Sequence, residues 1–150
     1  MRQSQIILYA EDDENDAFLV ERAFNQAQVP NALVIVPDGN TAIQYLAGTG
    51  KYADREKHPI PCLVLLDLKM VGKSGLEVLK WIRTHPTVCT LPVLMLTSSN
   101  LDGDVHRAYL MGANGYLVKP NTPDEMLIMA KGIKDYWLLL NRNTGSDANE

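Results

Sequence analysis

Cysteine is nearly absent from this 150-residue chain, which holds only Cys62 and Cys89. Two thiols cannot build a disulfide-stapled scaffold or a four-thiolate metal cage, so both read as small, reduced, apolar residues. Histidine is almost as scarce. His58, His85 and His106 have neither zinc-ligand nor triad spacing and are expected at the surface. Long apolar runs are missing: no stretch approaches the roughly 20 residues of a membrane span. Ile6–Ala10 is too short for a signal-peptide core and runs straight into acids. The expectation is a soluble cytoplasmic protein. Excess positive charge is lacking too. The formal net charge is −4, which argues against direct contact with nucleic acid. A nucleotide-binding loop also fails: around Gly48-Thr49-Gly50-Lys51, Tyr45 takes the first glycine position and Tyr52 that of the Ser or Thr.

What is present fits one domain, with 46% apolar residues to fill a core. Five short apolar runs, Ile6–Ala10, Ala32–Val36, Cys62–Leu66, Pro92–Leu96 and Gly115–Val118, alternate with five stretches of helical spacing. The helices are expected to start at Asp13 or Glu14, at Asn40 or Thr41, at Ser74, at Asp102 and at Pro123, the last running to about Asn141. That alternation predicts an α/β fold: a doubly wound, five-stranded parallel sheet with helices on both faces. The domain is expected to span 1–141, with a solvated surface insertion at 48–61 and a disordered polar tail at 142–150.

In an open parallel sheet, ligands bind at the carboxyl ends of the strands. Four chemical groups lie there: Glu11-Asp12-Asp13 after the first strand, Asp67 after the third, Thr97 after the fourth and Lys119 after the fifth. With those four strands side by side, the acids converge and repel one another, and the usual relief is a cation. Oxygen donors without His or Cys favour a hard ion, Mg²⁺ over Ca²⁺; the calcium-loop spacing is absent. Lys119, fixed before Pro120, can form a salt bridge or bind a phosphoryl oxygen. The Thr97 hydroxyl can donate to an oxyanion or serve as a cap. Together the groups make a phosphoryl-transfer constellation in which a carboxylate can be the nucleophile.

Several motifs now carry a resemblance: Ala-Glu-Asp-Asp at 10–13, Leu-Leu-Asp-Leu-Lys-Met at 65–70, Gly75 eight residues past Asp67, Leu-Thr-Ser at 96–98, and Gly-Ala-Asn-Gly-Tyr-Leu-Val-Lys-Pro at 112–120. From Ile6 to Leu140 the chain resembles the receiver domains of two-component response regulators, a (βα)5 flavodoxin-like fold. The resemblance implies that Asp67 is the phosphoacceptor. It implies Mg²⁺ (or Mn²⁺) held by Asp12, by Asp67, by the Lys69 backbone carbonyl and by Glu11 through water. Three successive acids leave Asp13 as an alternative to Asp12. Thr97 and Tyr116 match the family's switch residues, and Lys119 its lysine. The family usually has proline where Val71 stands, which would pre-set the loop's backbone dihedral, so the loop after the acceptor is left to Gly72 and to local packing. An aspartate-nucleophile phosphatase is disfavoured, because Lys69 occupies the place of its second aspartate. A degenerate receiver that acts as a phosphorylation-independent adaptor is the other alternative.

The implied partner is a sensor histidine kinase. The insertion at 48–61, Glu-Asp-Asp-Glu-Asn-Asp-Ala-Phe at 11–18 and Lys-Pro-Asn-Thr-Pro at 119–123 resemble the stand-alone regulators of bacterial phytochrome kinases. Such a regulator contributes only to its own phosphotransfer and autodephosphorylation, and no fused effector domain is expected. The last helix carries a stripe of Met126, Met129, Ala130, Ile133, Trp137 and Leu140 to dock on the sheet. Ile128, Tyr136, Leu138 and Leu139 lie off that stripe, which predicts a homodimer through the C-terminal helix.

Overall fold

The apolar runs are too short for buried helices and rich in branched residues, and they pair edge to edge. In the computed structural model, which describes residues 6–140, they form β1 (Ile7–Ala10), β2 (Leu33–Val36), β3 (Leu63–Leu66), β4 (Val93–Thr97) and β5 (Gly115–Val118). All pairings are parallel and the strand order is β2-β1-β3-β4-β5. The expected neighbours, first, third, fourth and fifth, do lie side by side. Pro92 falls just outside β4; it has no N–H to give, but its carbonyl accepts from Val64 at 3.0 Å. The expected domain end at 141 and the tail 142–150 lie outside the described residues.

Five helices cover the sheet: α1 (Glu14–Gln26), α2 (Gly39–Ala47), α3 (Gly75–Thr84), α4 (Asp102–Leu110) and α5 (Pro123–Ile133). All but α4 start at a side-chain cap. Asp13 accepts from the Asp16 N–H, Asp38 from Thr41 and Thr122 from Glu125, while Ser74 and Glu77 form a reciprocal capping box. Each such cap is worth about 1 kcal/mol.

Period-two alternation divides the core. Ile7, Tyr9, Leu63, Leu65, Leu94 and Leu96 point to one face and meet α1 and α5 through residues such as Val20, Phe24, Met126 and Ala130. Leu8, Ala10, Val64, Leu66, Val93 and Met95 point to the other, against α2, α3 and α4. Among the described residues no helix is long and apolar enough to cross a membrane.

Two stretches depart from expectation. The 48–61 connection is not wholly solvated. Its single 3₁₀ turn, Gly50–Tyr52, buries Tyr52, and Tyr45 is met by the tilted ring of Tyr52 and the edge-on ring of His58. The Arg55 guanidinium donates to the carbonyls of Tyr45 (2.8 Å), Leu46 (2.7 Å) and His58 (3.1 Å). It thereby satisfies the Leu46 carbonyl at the end of α2 and gives the Tyr45 carbonyl, which also accepts from the Gly48 N–H at 3.2 Å, a second donor. His58 is accordingly half-buried, and so is His85, which stacks on Trp81; His106 is exposed as expected. The last helix changes winding after Ile133, and Lys134–Leu140 is π-helical. The Lys134 ammonium ties the start of that segment to the Ala27 carbonyl at the end of α1 (3.1 Å).

Candidate functional site

The strand order reverses between β1 and β3, and a crevice opens beyond their carboxyl ends at such a point. The chain leaves each strand with its ladder still intact. The Glu11 N–H donates to the Val36 carbonyl (3.0 Å) and the Asp67 N–H to the Ala10 carbonyl (3.2 Å). Both acids are therefore held by the sheet, and both are buried. Asp12, one residue further on, is exposed. Carboxylate oxygens of Glu11, Asp12 and Asp67 all lie within 4.8 Å of one another. They line an open cleft of about 480 Å³ together with Asp16, Lys69, Thr97 and Lys119.

Lys119 follows β5 and points back across the sheet edge. Its ammonium lies 2.5 Å from Glu11 Oε1, 2.8 Å from Asp16 Oδ2 and 3.0 Å from Asp67 Oδ2, and its side chain is almost fully covered. One ammonium thus serves three carboxylates, with Asp12 as a fourth nearby. Burial works against the Lys119 charge, but Asp16, Glu11 and Asp67 outweigh it and raise its pKa above the ordinary value. Glu11 shows the residual repulsion. Its carboxyl is raised to about 7, chiefly by burial and further by Asp67, with Lys119 and Tyr9 pulling against that rise. The donors are all oxygen with surplus negative charge, which suits a hard divalent cation.

Asp12 and Asp13 are told apart by helix capping. The Asp13 carboxylate accepts from the Asp16 N–H (3.0 Å) and is committed to α1, whereas Asp12 joins the cluster. Lys69 lies beside the acceptor, its N–H 3.4 Å from Asp67 Oδ1. Gly72 makes the turn of the β3–α3 loop at φ +78. Val71 contributes no packing to that loop, since its side chain is 77% exposed.

Thr97 is buried, and its Oγ1 accepts from the Ser99 N–H at 3.4 Å. Ser99 is a hub. Its carbonyl accepts the Tyr116 hydroxyl (3.0 Å), and its own hydroxyl donates to Asp104 (2.5 Å). Asp104 is buried and also paired with Arg107. Half-buried Tyr116 is therefore tied to the β4–α4 loop. The sequence reading missed Ser99, Asp104, Asp16 and Tyr9. Tyr9 lies in an apolar run that reads as core, yet its hydroxyl donates to Glu11 Oε1 at 2.8 Å. The signal was available, because residues two apart on a strand share a face.

The raised Glu11 carboxyl has a stability consequence in cation-free protein. Folded, it keeps its proton to about 7; unfolded, it loses it near its ordinary 4.5. Between those values the unfolded chain binds fewer protons, so stability falls as pH rises. Lys119, with its pKa raised, stays charged across this window. Urea denaturation with chelator present should show lower stability at pH 7.5 than at pH 5, and Glu11→Gln should flatten that slope.

Comparison with known proteins converges on one family. Residues 7–131 match the response regulator receiver domain. Response regulator Rcp1 of Synechocystis sp. is 35% identical over 134 residues, covering 89% of each chain. Its Mn²⁺-bound crystal structure superposes with a TM-score of 0.81 over 92% of this chain and 97% of that one, at 34% identity. The phosphorylated cyanobacterial phytochrome response regulator RcpA gives a TM-score of 0.85 at 32% identity, over 95% of this chain and 99% of that one. The probable methanogenesis regulatory protein FilR2 of Methanothrix harundinacea is 35% identical over 140 residues, 93% of this chain and 88% of its own length.

Proposed function

From a chain that belongs to the response regulator receiver family, we propose a regulator whose Asp67 accepts a phosphoryl group from a sensor histidine kinase in the cytoplasm. A carboxylate oxygen of Asp67 attacks phosphorus in line. The new O–P bond forms as the P–N bond to the donor imidazole breaks, and that imidazole takes up a proton. Lys119, 3.0 Å from Asp67 Oδ2, transfers its hold to a phosphoryl oxygen, and the Thr97 hydroxyl donates to another. Asp12, Asp67, the Lys69 carbonyl and Glu11 (through water) would hold Mg²⁺ or Mn²⁺, which supplies charge neutralisation when bound. The chain's chemistry is confined to its own phosphotransfer and autodephosphorylation. The single observation that carries this reading is the Lys119 ammonium bridging Asp67 and Glu11 at the switch point of the sheet. Incubation with a small phosphodonor should give one acid-stable, hydroxylamine-labile phosphate per chain, and none with the metal chelated. A chain that labels equally well in chelator would overturn the cation's role.

Phosphorylation adds close to two negative charges at the sheet edge. Movement of Thr97 toward them pulls on the Ser99 N–H, and Ser99 carries the pull to Tyr116 and, through Asp104, to α4. The likeness to Rcp1 and RcpA supports a phytochrome-type kinase as donor. A phosphotransfer profile against several kinases identifies it by the fastest transfer.

Self-association through the C-terminal helix belongs to the same reading. Ile128, Tyr136 and Leu139 are 69%, 52% and 62% exposed, large apolar side chains that a second copy would cover. Leu138 does not belong with them, because it packs on the core; the Leu140 side chain lies outside the described residues. Light scattering is expected to give a dimer mass, reduced toward monomer by Ile128→Glu with Leu139→Glu. A wild-type monomer at every concentration and phosphorylation state would end this part of the reading.

A further inference from the structure

Position 71 contributes through its backbone. The Val71 N–H donates to Asp12 Oδ2 at 3.1 Å, joining residues 59 positions apart. Asp12 is exposed, and a free Asp side chain samples several rotamers in water. A carboxylate that must present one oxygen to a cation gains from a second partner that fixes the other, and such supporting partners typically hold about 10–100-fold in metal affinity. The geometry here has that form: the loop holds Oδ2 of the one exposed acid in the cluster, while Glu11 and Asp67 are fixed by burial, by the sheet and by Lys119.

We propose that the Val71 amide is a positioning group for the cation site, setting the Asp12 carboxylate so that its other oxygen faces the cleft shared with Glu11 and Asp67. The proposal rests on the reading of that cluster as a cation site. Its specificity lies in an atom, since any residue except proline offers an N–H at this position. The loop's exposed valine is thus replaceable in side chain and not in backbone.

Mn²⁺ alone, followed by its free-ion electron paramagnetic resonance signal, tests this without any phosphotransfer. Val71→Pro is expected to weaken Mn²⁺ binding about tenfold, and Val71→Ala, which keeps the N–H, to bind as wild type does. The sign discriminates. If loop stiffness were what position 71 supplied, proline would tighten binding, and tighter or unchanged binding by Val71→Pro overturns the proposal. Wild type that takes up no Mn²⁺ overturns the cation-site reading and the proposal with it, whereas wild-type binding with an indifferent Val71→Pro removes the proposal alone. A second measurement does not depend on the folding of the proline variant. In cation-free wild type, the Val71 amide proton should exchange several-fold more slowly than in Asp12→Ala; equal exchange rates would show that no such bond exists in solution.

Discussion

Asp67→Asn is expected to abolish phosphoryl incorporation while leaving the fold in place. The carboxamide has the shape of the carboxylate but no anionic oxygen, so it cannot be the nucleophile. Removing a reacting group of this kind costs on the order of 10⁴-fold or more in rate. The fold should tolerate the change, because Lys119 retains Glu11 at 2.5 Å and Asp16 at 2.8 Å. It also removes one of the charges that raise the Glu11 pKa, so Glu11 should ionise more readily and the pH dependence of stability should shrink. Radiolabel counting and intact mass after exposure to a small phosphodonor check the first effect, and urea denaturation checks the second. Equal labelling of both proteins would place the acceptor on another residue.

The parts of this site that were legible in the sequence are those set by the backbone. A short apolar run must be a buried strand, and a parallel strand must end at the ligand-binding edge, so Glu11, Asp67, Thr97 and Lys119 were brought together by topology before any side chain was placed. What topology could not decide was competition between equal groups. Asp12 and Asp13 are the same residue type in adjacent positions. The α1 N-terminus needs one acceptor, and Asp13 gives it by bonding the Asp16 N–H. The same helix then delivers Asp16 to Lys119, a partner 103 positions away that no local pattern announces.

Helical spacing failed where the helix stopped being regular. The stripe along the last helix assumed 3.6 residues per turn as far as Leu140, and so placed Leu138 among the unpartnered residues. From Lys134 the chain is π-wound, which takes more residues per turn and rotates successive side chains less. Leu138 comes round to the core beside Trp137, while Tyr136 and Leu139 are left outside. An apolar surplus remains at Ile128, Tyr136 and Leu139; the loss of Leu138 from it follows from a winding that composition does not encode. Similarly, the missing proline at position 71 predicts a loop whose backbone dihedral is less fixed, and the structure shows at that position an amide contact to Asp12 that proline could not make.

Gly75→Ala is expected to damage both stability and phosphotransfer, through one methyl group. A Cβ at position 75 would lie 2.1 Å from the Asp67 carbonyl oxygen, 2.9 Å from its carbon and 3.0 Å from the Met95 methyl. The first two are backbone atoms, so no rotamer change relieves the contact. The Gly75 N–H also donates to the Leu68 carbonyl at 2.9 Å, which pins the start of α3 against the end of β3. Accommodation therefore requires that α3 lift away or that the peptide carrying Asp67 tilt. Overpacking against side chains costs about 1–3 kcal/mol and sometimes more; against backbone the upper end, about 3 kcal/mol, is expected. For a domain of this size that lowers the thermal midpoint by about 6–12 °C. A displacement of the acceptor by about 1 Å costs about 10²-fold in labelling rate. Gly132→Ala is the contrast. Nothing lies within 4 Å of its Cβ and it sits inside α5, so it should raise stability by about 0.5–1 kcal/mol and leave labelling alone. Thermal melts and labelling of the two variants separate the explanations. If Gly75→Ala melts like wild type, the approach of α3 to Asp67 is looser than 2.1 Å implies, and the acceptor is not held by that contact.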